Sequence, residues 1–126
     1  MIYRFLKLQE AIRKSWGIDT AYKDDIPKWS TDNPAVGQCA VTALIIHDFF
    51  GGQIYSGMSQ DGIVHYWNKI HGLKIDLTRD QFRDTKNFMN ITKWESEDLL
   101  KTGNVKERYD ILRNRVKINL QKSARN

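Results

Sequence analysis

Cys39 follows Asn33-Pro34-Ala35-Val36-Gly37-Gln38 and opens the most apolar run of the chain, Ala40 to Phe50. That placement puts its sulfur at the start of a buried helix. Unpaired N–H groups and the helix dipole favour a thiolate over a thiol there. His65 and then Asp76 follow, on segments that read as two neighbouring strands. A catalytic thiol needs an environment that ionises it, a base within hydrogen-bond reach, and a third group that orients the base. The helix start, His65 and Asp76 would supply these in turn. Attack on an amide or ester creates an oxyanion that needs donors. The backbone N–H of Cys39 and the side chains of Gln38 and Asn33 are the candidates. Trp29 and Trp67 are candidates for the walls of a substrate cleft.

The same residues have plainer readings. A lone cysteine in an apolar helix is commonly buried and inert, and a strand histidine beside an aspartate is often a satisfied polar pair. The chain would then be a non-enzymatic binding module, with a basic C-terminal helix for an acidic partner. A zinc site built from Cys39, His65 and Asp76 with His47 or His71 lacks the paired ligand spacing such sites use. His47 reads as a residue near the end of the central helix and His71 as a turn residue. No Gly-rich dinucleotide loop, Walker loop, HExxH or GxSxG is present, so neither metal nor cofactor is expected.

The elements that must position these residues follow from periodicity. Ile2, Phe5, Leu8, Ile12 and Trp16 recur at helical spacing and predict an amphipathic helix stopped by Gly17. Thr20 to Asn33 is polar, contains Pro27, and reads as a long loop with Trp29 near the mouth of the site. Asn33-Pro34 fits a cap and first helical position, with Gly37 allowing a second, kinked start before Cys39. The following helix is apolar on nearly every side, which marks a central helix, and Gly51-Gly52 ends it. Three strands are predicted over 53–58, 63–70 and 73–77, with turns at 59–62 and at His71-Gly72. A two-residue hairpin at His71-Gly72 sets Ile70 opposite Leu73, Trp67 opposite Asp76 and His65 opposite Thr78. His65 and Asp76 then share a face. The other face, with Tyr66, Ile70, Leu73 and Ile75, is the more apolar and should attract the central helix, which would leave His65 on the wrong side. Short helical turns are expected within Asp80–Met89 and over Glu95–Lys101, and a last helix over Val105–Gln121. Phe82, Phe88, Met89, Ile91 and Trp94 are available to cover a second face of the sheet. The order predicts an α+β fold: a small antiparallel sheet of three or slightly more strands, a central cysteine-bearing helix, and flanking N- and C-terminal helices.

With 126 residues and no internal repeat or linker, residues 1–126 read as one domain. No apolar stretch reaches the length of a membrane span and none resembles a secretory signal. One cysteine cannot form an internal disulfide, so a cytoplasmic location is the default expectation. The net charge of +5 is concentrated in residues 106–126, which hold seven basic and two acidic residues. Residues 1–105 carry thirteen of each sign and are neutral. The basicity thus belongs to one helix and its tail. It reads as a solvated face, and a nucleic-acid partner is disfavoured.

One further pattern spans Trp29 to Phe82. It consists of Asp32-Asn33-Pro34-Ala35-Val36-Gly37-Gln38-Cys39-Ala40-Val41-Thr42-Ala43-Leu44, Phe50-Gly51-Gly52, His65-Tyr66-Trp67-Asn68 and Asp76-Leu77-Thr78-Arg79-Asp80-Gln81-Phe82. Together with Ser15-Trp16, these stretches resemble the YunG-like family of small, mostly bacterial proteins. At a coarser level the arrangement is similar to papain-like and transglutaminase-like thiol enzymes, in which a cysteine at a helix start precedes a histidine and an aspartate or asparagine on antiparallel strands. The resemblance implies Cys39 as nucleophile, His65 as base and Asp76 as its orienter. The implied activity is a cysteine-dependent hydrolase or acyl transferase acting on an amide, ester or thioester. The chain departs from those enzymes in size, and it has no glutamine several residues ahead of the cysteine.

Overall fold

The computed structural model describes residues 2–79, 82 and 87–125. Helix α1 spans Ile2–Ser15. Leu8 and Ile12 on its apolar stripe are buried, whereas Ile2 in the first turn is exposed. Two short 3-10 turns follow: Ile18–Thr20 ends where the expected loop begins, and Lys23–Lys28 lies within that loop with Pro27 inside it. Helix α2 spans Cys39–Phe50. It does not start at Pro34: residues 34–37 form turns, and Gly37 at φ +76 takes a left-handed conformation that a helix cannot continue through. Cys39 is therefore the first residue of the helix, with Gln38 before it.

Among the described residues the sheet has four strands, one beyond the three placed from the sequence. They are β1 Gln53–Met58, β2 Val64–Ile70, β3 Leu73–Ile75 and β4 Met89–Trp94. The spatial order is β3-β2-β1-β4 with every neighbouring pair antiparallel. Ile70 faces Leu73 across the turn, as the hairpin predicts, but β3 ends at Ile75 opposite Asn68. The positions at which Asp76 and Thr78 would face Trp67 and His65 lie past the end of that strand. The fourth strand pairs Ile54 with Trp94 and Ser56 with Thr92, and the Trp94 indole N–H donates to Ser56 Oγ at 2.8 Å. Of the helical turn expected within Asp80–Met89, residues 80, 81 and 83–86 lie outside the described residues, and Met89 opens β4.

Helices α3, Ser96–Leu100, and α4, Val105–Arg125, complete the chain. The core is formed by Leu8 and Ile12, by Val41, Leu44, Ile45 and Ile46 of α2, by Ile54, and by Leu99, Leu112 and Val116. Each such side chain contributes roughly 1.5–3 kcal/mol by leaving water. Helix α2 lies on the sheet face that carries Ile54, Tyr66, Asn68 and Ile70, the more apolar one. Asn68 is buried there and its Nδ2 donates to the carbonyl of Ala43 at 2.9 Å, pinning the helix to the strand. Among the described residues no helix is long and apolar enough to cross a membrane.

Gly52 closes the helix-to-strand corner at φ +76, and a Cβ there would stand 2.4 Å from the carbonyl oxygen of Lys69. Gly103 has φ +48 and nothing within 4 Å. Gly103→Ala is expected to cost about 1 kcal/mol of backbone strain. Gly52→Ala should cost at least about 2 kcal/mol, because strain and a backbone clash add. Urea midpoints of the two variants check this, and equal losses would contradict the corner geometry.

Candidate functional site

His65 is fully buried, on the sheet face opposite α2 and beside Gly57 and Trp67. Phe88 stacks on its ring at 5.2 Å, and Phe82 meets it edge-on at 5.0 Å. Gly57 makes room for this packing: a Cβ there would lie 2.6 Å from Phe88 Cβ and 3.0 Å from the Trp67 ring. Inside that aromatic shell, His65 Nε2 and Asp76 Oδ2 are 2.7 Å apart, with the carboxylate only slightly exposed. The Thr78 hydroxyl donates to the other Asp76 oxygen at 3.4 Å. His65 and Asp76 therefore meet, although Asp76 lies just past the end of β3 and not within the paired hairpin.

Cys39 is partly exposed, not sealed in the core, and lies close enough to His65 to favour the protonated imidazole. The helix packs on the face opposite the imidazole, and it is the first residue of α2 that comes close to His65. The concern that the helix would take the other face is correct about the helix, which packs against Ile54, Tyr66 and Ile70.

Burial works against a charged His65, but the hydrogen bond it donates to the Asp76 carboxylate and the proximity of Cys39 outweigh it. The imidazolium persists up to about 9, from an ordinary value of 6.5. A group whose pKa is raised on folding contributes stability that is complete below its unfolded value and disappears as pH rises through the folded one. The stability advantage of the parent protein over Asp76→Asn is therefore expected to be full near pH 6 and to fade as pH passes about 9. Denaturant unfolding of both proteins across that interval tests the sign, and an advantage that grows with pH would contradict it.

The supporting residues fall differently from expectation. Gln38 is fully buried, its Nε2 donating to the Gly17 carbonyl at 2.9 Å and its Oε1 accepting from the Thr20 hydroxyl at 2.8 Å. Its amide is spent on bracing the loop and is not turned to an oxyanion. Asn33 sits in a bridge with Ser30 and lines an open depression of about 680 Å³ together with Arg13, Trp16, Lys28 and Asp32. The indole of Trp29 donates to the Pro34 carbonyl at 3.1 Å, and the residue is not among those lining that depression. Trp67 is buried, with the Lys74 ammonium 4.6 Å from its ring centre. It is part of the packing around His65 and not an open cleft wall. Among the described residues, no three His, Cys, Asp or Glu side chains converge as metal ligands.

Arg108 is the residue that periodicity hides. It belongs to the basic helix yet is only 5% exposed, held by the carbonyls of Thr20 and Gly37 at 3.1 and 3.3 Å and by Asn104 Oδ1 at 3.1 Å. Its spacing was the available signal, since 108 lies three residues after Val105 and four before Leu112, both buried. Arg115 is likewise engaged, pairing with Asp19 through Nη1 at 2.8 Å and through Nη2. Part of the C-terminal charge is therefore structural, which corrects the reading of this segment as a solvated face.

No solved structure matches the chain. The Bacillus subtilis (strain 168) protein described as "Uncharacterized protein YunG" is 34% identical over 102 residues, covering 81% of this chain and 82% of that relative. The family model described as "YunG protein" matches residues 4–121. That match takes in all four strands together with Cys39, His65, Asp76 and Arg108, and the chain belongs to the YunG family.

Proposed function

We propose that this protein is a small cysteine-dependent hydrolase or acyl transferase, related in arrangement to papain-like and transglutaminase-like enzymes, acting on an amide, ester or thioester. The observation that carries the reading is the buried pair of His65 and Asp76, 2.7 Å apart, with Cys39 close enough to favour the protonated imidazole. In this reading the thiolate attacks the carbonyl carbon and a C–S bond forms. The carbonyl π pair moves onto oxygen. As the tetrahedral species collapses, the leaving amine, alcohol or thiol departs with a proton from the imidazolium, leaving a thioester on Cys39. Water or a second nucleophile, deprotonated by neutral His65, then attacks the thioester and restores the thiolate–imidazolium pair. The backbone N–H of Cys39 has no acceptor among the described residues and would be the oxyanion donor, as expected of a first-turn amide. A nucleophilic thiol with no disulfide partner in the chain suits the reducing cytoplasm.

Acylation by an activated aryl ester tests the proposal. Mass spectrometry is expected to find one acyl group on Cys39, formed faster than on a small thiol at the same pH and discharged by water or an added amine. Acylation no faster than that of the small thiol would favour the binding-module reading.

A further inference from the structure

Arg108 combines features that a purely structural arginine does not need. Buried guanidinium groups are normally matched by carboxylates, since an unpaired buried charge is costly. Here no carboxylate lies within ion-pair distance among the described residues: Nε and Nη1 are satisfied by Asn104, Thr20 and Gly37, all of them neutral acceptors. Nη2 has no hydrogen-bond partner among the described residues. It is not sealed off either, because the one completely buried side-chain nitrogen or oxygen left unpartnered among them is His47 Nδ1. The guanidinium therefore keeps a charge and an open pair of N–H donors while the rest of the side chain is enclosed.

Its position is fixed relative to the thiol. Nη1 holds the carbonyl of Gly37, two residues before Cys39, and Gln38, the residue between, is locked by Thr20 and Gly17. Thr20 is held in turn by Arg108 through its carbonyl. The Tyr22 ring stands 5.8 Å from the guanidinium carbon. Cys39, Tyr66 and Asp25 are all within electrostatic range of the guanidinium. Cys39 is the nearest of these in sequence to the carbonyl that Arg108 holds.

We propose that Arg108 is a substrate-binding residue whose free Nη2 receives a carboxylate oxygen, so that the preferred substrate is an acyl compound carrying a carboxylate close to the carbonyl that Cys39 attacks. The inference rests on Cys39 being the nucleophile, and it adds the substrate class. A guanidinium in a low-dielectric setting binds a carboxylate through short, charge-assisted hydrogen bonds. A substrate carboxylate would add a directly hydrogen-bonded counter-charge, which Cys39 and Asp25 supply only from a distance.

Iodoacetate and iodoacetamide test this directly. They are nearly isosteric, both alkylate sulfur with loss of iodide, and they differ in carrying a carboxylate or a neutral amide. Cys39 is the single cysteine, so labelling reports one site. The ratio of the iodoacetate rate to the iodoacetamide rate is expected to exceed that of a small model thiol by about tenfold or more. The iodoacetate reaction should also saturate and be inhibited by acetate but not by acetamide. Arg108→Met is expected to bring the ratio down to the model-thiol value, and Arg108→Lys to retain part of it. A ratio in the parent protein equal to the model thiol's overturns the proposal, and so does one that survives Arg108→Met in folded protein. If Arg108→Met does not fold, the acetate and acetamide competition in the parent protein decides. The iodoacetamide rate alone reports whether Cys39 is activated, so failure of the nucleophile reading and failure of the carboxylate reading are separable.

Discussion

Cys39→Ser is expected to reduce turnover of an aryl ester to the uncatalysed rate while the protein stays folded. Replacing sulfur by oxygen hardly changes side-chain volume, and serine is well tolerated at a helix start, so the stability change should stay within about 1 kcal/mol. The chemistry changes completely. An alcohol does not ionise at neutral pH beside an imidazolium, so residue 39 and His65 could no longer exchange charge. Ester turnover with parallel denaturant unfolding measures both effects. Full turnover in the serine variant would place the reaction elsewhere in the protein.

The second large effect is expected at His65. With the imidazolium gone, Cys39 should ionise like an ordinary thiol, near 8.5, so at about pH 6.5 only about one hundredth of it would be thiolate and alkylation should slow by about a hundredfold. His65→Ala would also leave Asp76 without its partner at 2.7 Å and open a cavity beneath Phe82 and Phe88, which threatens the fold. His65→Gln is the better probe, since it fills more of the space and can still donate to Asp76. Slow alkylation together with native-like unfolding in His65→Gln is the expected result. An unchanged rate would mean that the histidine does not control the sulfur.

Much of this arrangement is legible from residue types and spacing. The alternation in 64–70 and the His71-Gly72 turn fix the hairpin register as far as Ile75, and Asp76 meets His65 from just beyond the paired strand. The all-apolar run after Cys39 marks the central helix, and Gly51-Gly52 marks its end. What escapes has identifiable causes. The segment Met89–Trp94 looks like loose covering material because Asn90 and Lys93 dilute its hydrophobicity. It becomes a strand because β1 offers an unpaired edge, with Trp94 packing by Tyr66 at 5.8 Å. The false helix start at Asn33-Pro34 follows from a good local cap signal overridden by Gly37, whose left-handed φ permits its carbonyl to meet Arg108. Gln38 looks like an oxyanion donor because it adjoins Cys39, but adjacency in sequence says nothing of side-chain direction. Arg108 is invisible to charge counting, because a buried and a solvated arginine contribute equally to the net charge.

The rate of Cys39 alkylation by iodoacetamide as a function of pH, in the parent protein and in His65→Gln, tests the central claim most directly. If Cys39 and His65 form a thiolate–imidazolium pair, the parent rate should stay nearly level from pH 8 down to about pH 6. The variant rate should instead fall about tenfold for each unit below 8.5. A parent protein whose rate falls in that same way, with a midpoint near 8.5 that His65→Gln does not move, would contradict the account and leave Cys39 a structural residue.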